Sequence, residues 1–228
     1  MKKIIVLILF ILLSYTAQAT AENFYDKLLI GISGGPGLVL ATGYLPDPAV
    51  HGTQSTTYVG PGGVVGVCGG YNFYKATVSQ YEHSIYAMVG NEFTFKNLVV
   101  DFEFPQGNGK VTYRTSFFNF LGFIRGTLGW FYYEAGYFYG IETFEWRYHY
   151  HGVHYADANR KVYGAESQNE FGMLIGFGAA FPVYKGLTID VGMQYQFGFT
   201  SIIESNTPDA DVRAITILFK VGATYRFQ

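Results

Sequence analysis

From Ile215 to Phe227 the chain alternates without a break: Ile215, Ile217, Phe219, Val221, Ala223, Tyr225 and Phe227 hold one set of positions, and Thr216, Leu218, Lys220, Gly222, Thr224 and Arg226 the other. A period of two sends the two sets to opposite faces of a β-strand. The pattern recurs upstream. Phe171, Met173, Ile175, Phe177, Ala179 and Phe181 oppose Glu170, Gly172, Leu174, Gly176, Gly178 and Ala180. Ile189, Val191, Met193, Tyr195, Phe197 and Phe199 oppose Thr188, Asp190, Gly192, Gln194, Gln196, Gly198 and Thr200. Runs bounded by turn residues divide the chain into eight strands, about Lys27–Thr42, Thr57–Phe73, His83–Phe104, Lys110–Phe123, Trp130–Tyr148, Gln168–Pro182, Leu187–Ile203 and Arg213–Phe227. No linker, charge block or low-complexity tract separates a second domain.

The connections alternate too. Ile124–Gly129 and Val183–Gly186 are short and Tyr74–Glu82 somewhat longer. Gly43–Thr56, Tyr150–Ser167 and Glu204–Val212 are longer and polar, with Pro105–Gly109 a compact member of the same set. Short turns at one end, loops at the other and an even strand count predict an all-β, eight-stranded antiparallel up-and-down transmembrane β-barrel, with both termini at its periplasmic rim. A soluble barrel would carry the same alternation inside out, bulky set inward. Glycines concentrated on the polar face, Tyr and Phe bunched near strand ends and the aromatic close favour the membrane form. The 29 Gly, 20 Tyr and 21 Phe fit that picture.

Parity assigns the faces of the other strands. Strand one offers Leu28, Ile30 and Ile32 to lipid, and a bulge or bend is expected where Gly31, Gly34, Gly35 and Gly37 surround Pro36. In strand two, Cys68 falls on the lumen side as a small thiol. As the sole cysteine it excludes an intramolecular disulfide. Glu92 and Asp101 lie on opposite parities of strand three, which one bulge between Phe93 and Val100 would reconcile. Asn119 fits the parity taken for strand four poorly.

The N-terminus agrees with an exported protein. Met1-Lys2-Lys3 is a short positive region, Ile4–Leu13 is a ten-residue apolar run too short to cross a bilayer as a helix, and Ala17-Gln18-Ala19 has the spacing of a signal-peptidase site. Residues 1–19 are expected to be cleaved as a secretory signal peptide, leaving 20–228 as one barrel domain in the outer membrane of a double-membraned bacterium. Loss of Lys2 and Lys3 leaves 13 of the 15 basic residues against 17 acidic ones, so nothing resembles a nucleic-acid footprint. No cofactor is implied.

On the signal peptide, the turn and loop alternation, the Gly70-Tyr71-Asn72-Phe73 strand end and the Val221–Phe227 close, the chain resembles the small eight-stranded outer-membrane barrels, typified by OmpX, OmpW and the membrane domain of OmpA. It departs from them in ending on Gln228 rather than an aromatic residue. No peptidoglycan-binding domain follows the last strand, which argues against an OmpA-like wall tether. The resemblance implies outer-membrane lipid and the barrel-assembly machinery as partners. From OmpW it implies a narrow conduit for small apolar solutes, released sideways into the membrane. The alternative is a non-conducting, surface-exposed barrel whose loops meet host or environmental ligands.

Three groups of residues are candidates for function. On these parities the lumen holds Glu92, Glu134, Glu142, Glu170 and Asp190 with Arg114, Lys220 and Arg226, plus Gln194 and Gln196. Buried charges of both signs must pair, and Lys220 and Arg226 are expected to meet Glu170 or Asp190. The pocket for an apolar solute would be formed by Trp130, Tyr132 and Phe138, with Phe144 and Trp146 above them. His149 and His151 share a face if strand five continues, and with His154 are the candidate metal ligands. No carboxylate or cysteine has matching spacing, so an exposed Tyr/His-rich extension is the favoured reading and no metal is assigned. His83-Ser84 lacks a third group to orient the imidazole, and an enzyme is not expected.

Overall fold

The computed structural model describes residues 27–47, 52–78, 80–104, 107–152, 159–161, 165–167, 169–205 and 212–227; over 44–47, 52–57, 100–111, 144–167 and 203–205 the description is confined to the backbone of those residues. The signal peptide and its cleavage site, His154 and Gln228 lie outside the described residues. Eight long strands carry the fold: β1 (Leu28–Asp47), β2 (Gly52–Val78), β3 (Tyr81–Phe104), β4 (Gly107–Leu128), β5 (Phe131–Gly152), β6 (Glu170–Tyr184), β7 (Leu187–Gly198) and β8 (Arg213–Arg226). Each pairs antiparallel with its neighbour in the chain, and β1 pairs with β8, which closes the ring. The closure falls on the expected segment, with Leu29 opposite Arg226 and Ile32 opposite Ala223. Of the shorter strands, Asn159–Lys161 lies along β5 at Arg147–His149, and Ala165–Ser167 pairs with Ile203–Ser205.

One end of the ring carries the short connection from β2 to β3 and the tight turns at Gly129-Trp130 and Lys185-Gly186, with the start of β1 and the end of β8 beside them. Gly129 (φ 61°) and Gly186 (φ 74°) supply the left-handed residue that such reversals need. This is the turn end; the opposite, loop end is taller than the sequence indicates. The expected loop Gly43–Thr56 is largely hairpin, since β1 and β2 remain paired out to Asp47 and Gly52. β3 and β4 pair out to Phe104 and Gly107.

The bulges also differ from expectation. The β1–β2 ladder passes Pro36 in unbroken register, so no bulge forms there. β3 pairs with β4 residue for residue from His83 to Phe104, so none lies between Phe93 and Val100 and Asp101 keeps the parity opposite to Glu92. Register shifts occur instead at Asn72/Tyr74 in β2 and around Ser116 in the β4–β5 ladder.

The register fixes the width of the barrel. Following cross-strand partners from Leu28 through Tyr71, Ala87, Ile124, Ala135, Ile175, Tyr195 and Ile217 returns to β1 at Leu38, ten residues above the start. Eight strands at that shear tilt by about 40° and leave a backbone radius of about 8 Å, enough for side chains to fill.

Burial decides which face is which. Ile30, Ile32, Val65, Val67, Val89, Phe120, Ile124, Tyr137, Phe177, Val191, Phe219 and Val221 are exposed around the ring. Their inward neighbours, among them Met88, Glu92, Lys96, Asn119, Leu174 and Leu218, are buried. A continuous apolar belt of this extent has no place on a water-soluble surface. It is the lipid-facing band of a membrane barrel, with Tyr74, Tyr81, Trp130, Tyr184 and Tyr225 exposed near the turn end as its aromatic girdle.

Candidate functional site

Charged tiers cross the interior, each built from strands on different sides of the ring. Nearest the loop end, Lys96 of β3 donates to both carboxylate oxygens of Glu170 of β6, at 2.6 and 2.5 Å. Both side chains are sealed from solvent, at 0 and 1% exposure. The Lys96 ammonium lies 5.0 Å from the centroid of the Phe117 ring, and beside it Asn119 donates to Thr94 at 2.9 Å. Beneath, Lys220 of β8 pairs with Glu92 of β3 and donates to Gln194 Oε1 at 2.6 Å, while Gln196 donates to the other Glu92 oxygen at 3.0 Å. The next tier centres on Arg125 of β4, which donates to Asp190 at 2.7 Å and to Glu134 at 3.2 Å. Its guanidinium lies 4.1 Å from the centroid of the Tyr132 ring, a cation–π arrangement. At the turn-end rim, Glu82 accepts from Arg226 at 3.0 Å and pairs with Lys75 at 2.9 Å.

Several predicted site residues land here with partners other than those expected. Glu92, Glu134, Glu170, Asp190, Gln194 and Lys220 do face the lumen. Lys220 takes Glu92, Glu170 takes Lys96 and Asp190 takes Arg125, because the ten-residue shear sets which inward positions meet across the ring. Arg226 keeps the inward parity but sits at the rim, a third exposed, on Glu82. Glu142 accepts from Thr115 at 2.8 Å nearer the loop end. Arg114 is a correction: it is exposed, since the odd residues of β4, Phe117, Asn119, Leu121, Phe123 and Arg125, point inward. Asn119, the awkward residue of the sequence parity, is thus a fully buried lumen residue.

Lys96 and Arg125 hold two of these tiers and are absent from the sequence-derived set. Strict alternation from Glu92 through Thr94 to Lys96 signals the first. Running β4 on to the turn at Gly129 signals the second.

The expected apolar pocket does not assemble from its described members. Trp130 stands in the turn, 62% exposed, because the reversal at Gly129 swings it out to the girdle. Tyr132 is buried against Arg125, its hydroxyl lying where a Cβ on Gly178 or Gly192 would stand. Phe138 joins a separate interior cluster with Leu29, Tyr86, Met88, Leu121, Phe123 and Leu174. The side chains of Phe144, Trp146, His149 and His151 lie outside the described residues, although β5 does continue through both histidines, opposite Thr112 and Lys110. His83 and Ser84 face opposite ways. The imidazole meets the Tyr133 hydroxyl at 3.2 Å, while Ser84, 1% exposed, donates to Glu82 at 3.3 Å.

Among the tiers lies a cavity of about 40 Å³, edged by Cys68, Glu92, Arg125, Glu134, Asp190 and Lys220. That is little more than one water molecule's share of the liquid. A wider vestibule of about 420 Å³ opens at the turn end between Glu82, Tyr86, Arg125, Thr188 and Arg226.

A closed ring of eight tilted strands, apolar outside and ion-paired within, is an antiparallel up-and-down transmembrane β-barrel of the outer-membrane type. Among solved structures it is similar to OprG from Pseudomonas aeruginosa (13% identity, 89% of this chain and 96% of that one, TM-score 0.36). It is also similar to the attachment invasion locus protein Ail of Yersinia pestis, solved with the heparin analogue sucrose octasulfate (14%, 88% and 99%, TM-score 0.31), and to the outer membrane protease OmpT of Escherichia coli (10%, 92% and 99%, TM-score 0.44). No protein-family model and no curated protein sequence matches the chain. Likenesses at this level single out no member of the class.

Proposed function

We propose that this chain is a sealed outer-membrane barrel that works through the surface it raises beyond the membrane rather than as an axial conduit. In this reading the turn end faces the periplasm and the loop end the exterior. The observation that carries it is the interior: among the described residues three successive tiers of ion pairs, Lys96–Glu170, Lys220–Glu92 and Arg125–Asp190, stand across the lumen around a cavity of about 40 Å³. Moving a solute along the axis would mean parting buried ion pairs, each of which costs about 3–5 kcal/mol to leave half made.

The uneven height of the wall supports the outward role. β6, β7 and β8 have 15, 12 and 14 residues, close to what a spanning strand needs. β1 to β5 have 20 to 27 and must rise well clear of the bilayer. On that extension Arg114, Arg147 and Lys161 are successive register partners, and Lys110 is opposite His151. A row of basic positions suits a polyanionic partner, such as a sulfated or phosphorylated glycan.

The test is made on proteoliposomes and on whole barrels. Small polar solutes and a fluorescent apolar probe are expected to enter proteoliposomes no faster than protein-free vesicles. The barrel should bind a sulfated-polysaccharide matrix, and Arg114→Glu with Arg147→Glu should release it at lower salt. Solute or probe entry that depends on the protein would overturn the sealed reading in favour of a conduit. Matrix binding indifferent to the charge reversals would remove the polyanion.

A further inference from the structure

A groove of about 750 Å³ crosses the outside of the wall from β1 to β5. Its floor is made of small residues on four successive strands, Gly69, Ala87, Gly122 and Ala135, within two adjacent cross-strand rows: Gly69 and Gly122 both oppose Val89, and Ala87 and Ala135 both oppose Ile124. Packing does not demand these glycines. A Cβ at Gly122 would meet nothing within 4 Å, and one at Gly69 would meet only the Leu29 carbonyl oxygen at 3.8 Å. Val, Ile and Phe are exposed on other parts of the belt, Val65, Phe177 and Val191 among them.

At its turn end the groove is bounded by Leu28 and Tyr71, and there a cation stands beside it. The Lys27 ammonium lies 5.7 Å from the centroid of the Tyr71 ring. The backbone beneath is held, since the Asn72 amide donates to the Lys27 carbonyl at 2.8 Å. Among the described residues no carboxylate pairs with Lys27. From this mouth the rows climb obliquely, following the shear of the barrel, to Tyr137 on β5. Four inter-strand spacings make a track of about 19 Å, comparable with one leaflet's share of a hydrocarbon core about 30 Å thick.

We propose that this groove retains one phospholipid of the turn-side leaflet, an acyl chain lying along Gly69, Ala87, Gly122 and Ala135 and the phosphate on Lys27. The inference rests on the membrane-barrel reading and adds to it a lipid site with a head and a tail. Acyl chains have no hydrophobic reason to leave bulk lipid for a protein groove, so retention comes from close contact along the floor and from the charge at its mouth. An anionic headgroup is therefore preferred. A second copy of this chain would need bulky side chains to enter the groove and an acid to meet Lys27. Beside the groove, among the described residues, the exposed side chains are Ile30, Val89, Ile124 and Tyr137, with no carboxylate among them.

Delipidated barrel, transferred to detergent micelles and titrated with phosphatidylglycerol or phosphatidylcholine, would be weighed by native mass spectrometry. One retained phosphatidylglycerol is expected, held more tightly than phosphatidylcholine. Lys27→Gln should weaken it about fivefold. Gly122→Leu should remove it while the barrel keeps its folded electrophoretic mobility. Equal retention of the two lipids, or of phosphatidylglycerol by the wild type and both variants, would overturn the site. So would a lipid-free dimer that Gly122→Leu converts to monomer. Flotation with vesicles separates the two levels: a barrel that fails to float contradicts the membrane reading itself, whereas one that floats but retains no lipid contradicts the groove alone.

Discussion

Lys96 and Glu170 show how a single side chain is fixed by its position in a narrow ring. Both are cut off from water, and each is tolerable there because of the other. Lys96→Met is expected to destabilise the barrel in detergent by about 3–5 kcal/mol, measured by denaturant unfolding, whereas Lys96→Met with Glu170→Met should recover most of that loss. Glycines divide in the same way by what surrounds them. A Cβ at Gly192 would run into the Tyr132 hydroxyl, so Gly192→Val should push that ring from Arg125 and cost about 1–3 kcal/mol. Gly122→Val, into open space, should change stability by no more than about 0.5 kcal/mol. At this scale parity carries most of the information in the sequence. Glu92, Glu134, Glu170, Asp190 and Lys220 are placed inside by alternation alone, but alternation says nothing of who meets whom across the ring. Arg114 faces outward because the inward parity of β4 is the odd one. Asn119 and Arg125, two residues of the opposite parity, give the right answer together.

Strand β7 starts at Leu187 as expected but ends at Gly198 rather than Ile203, whereas β6 and β8 are legible to within about two residues, each being a simple alternation ended by a turn. β1 and β2 are not, because Pro46, Asp47 and Pro48 read locally as a loop whereas hairpin pairing carries the strands past them to Asp47 and Gly52. Long-range register likewise overrides the local glycine and proline signal at Pro36, where the β1–β2 ladder stays regular. The β1–β8 seam is the element on which closure depends, and it can be tested by cross-linking. With Cys68→Ser as background, Val39→Cys and Thr216→Cys, which are direct partners, should join on oxidation and give a barrel with altered mobility after denaturation. Val39→Cys with Ile217→Cys is shifted by one residue and faces opposite sides of the wall, so it should not. Cross-linking of both pairs, or of neither, would mean that the seam has another register.

For the whole molecule, an eight-stranded ring with a shear of ten residues has room for side chains and little else. Here that room is taken by ion pairs on one part of the wall and by Tyr86, Met88, Leu121, Phe123, Phe138 and Leu174 on another. Location was legible because the belt that makes a membrane barrel is a property of every strand. Whether the lumen is open was not, because that depends on Lys96 and Arg125 meeting carboxylates 74 and 65 residues away in the chain. The proposed function therefore rests on the tall loop end and the lipid-facing wall rather than on the axis of the barrel. The direct measurement is conductance across a planar bilayer holding the wild-type protein and a Glu92→Ala, Lys220→Ala variant. Steady channels are expected neither from the wild type at moderate voltage nor from the variant, in which the Lys96–Glu170 and Arg125–Asp190 tiers still stand across the axis. Reproducible unitary conductance in the wild type would contradict a sealed barrel.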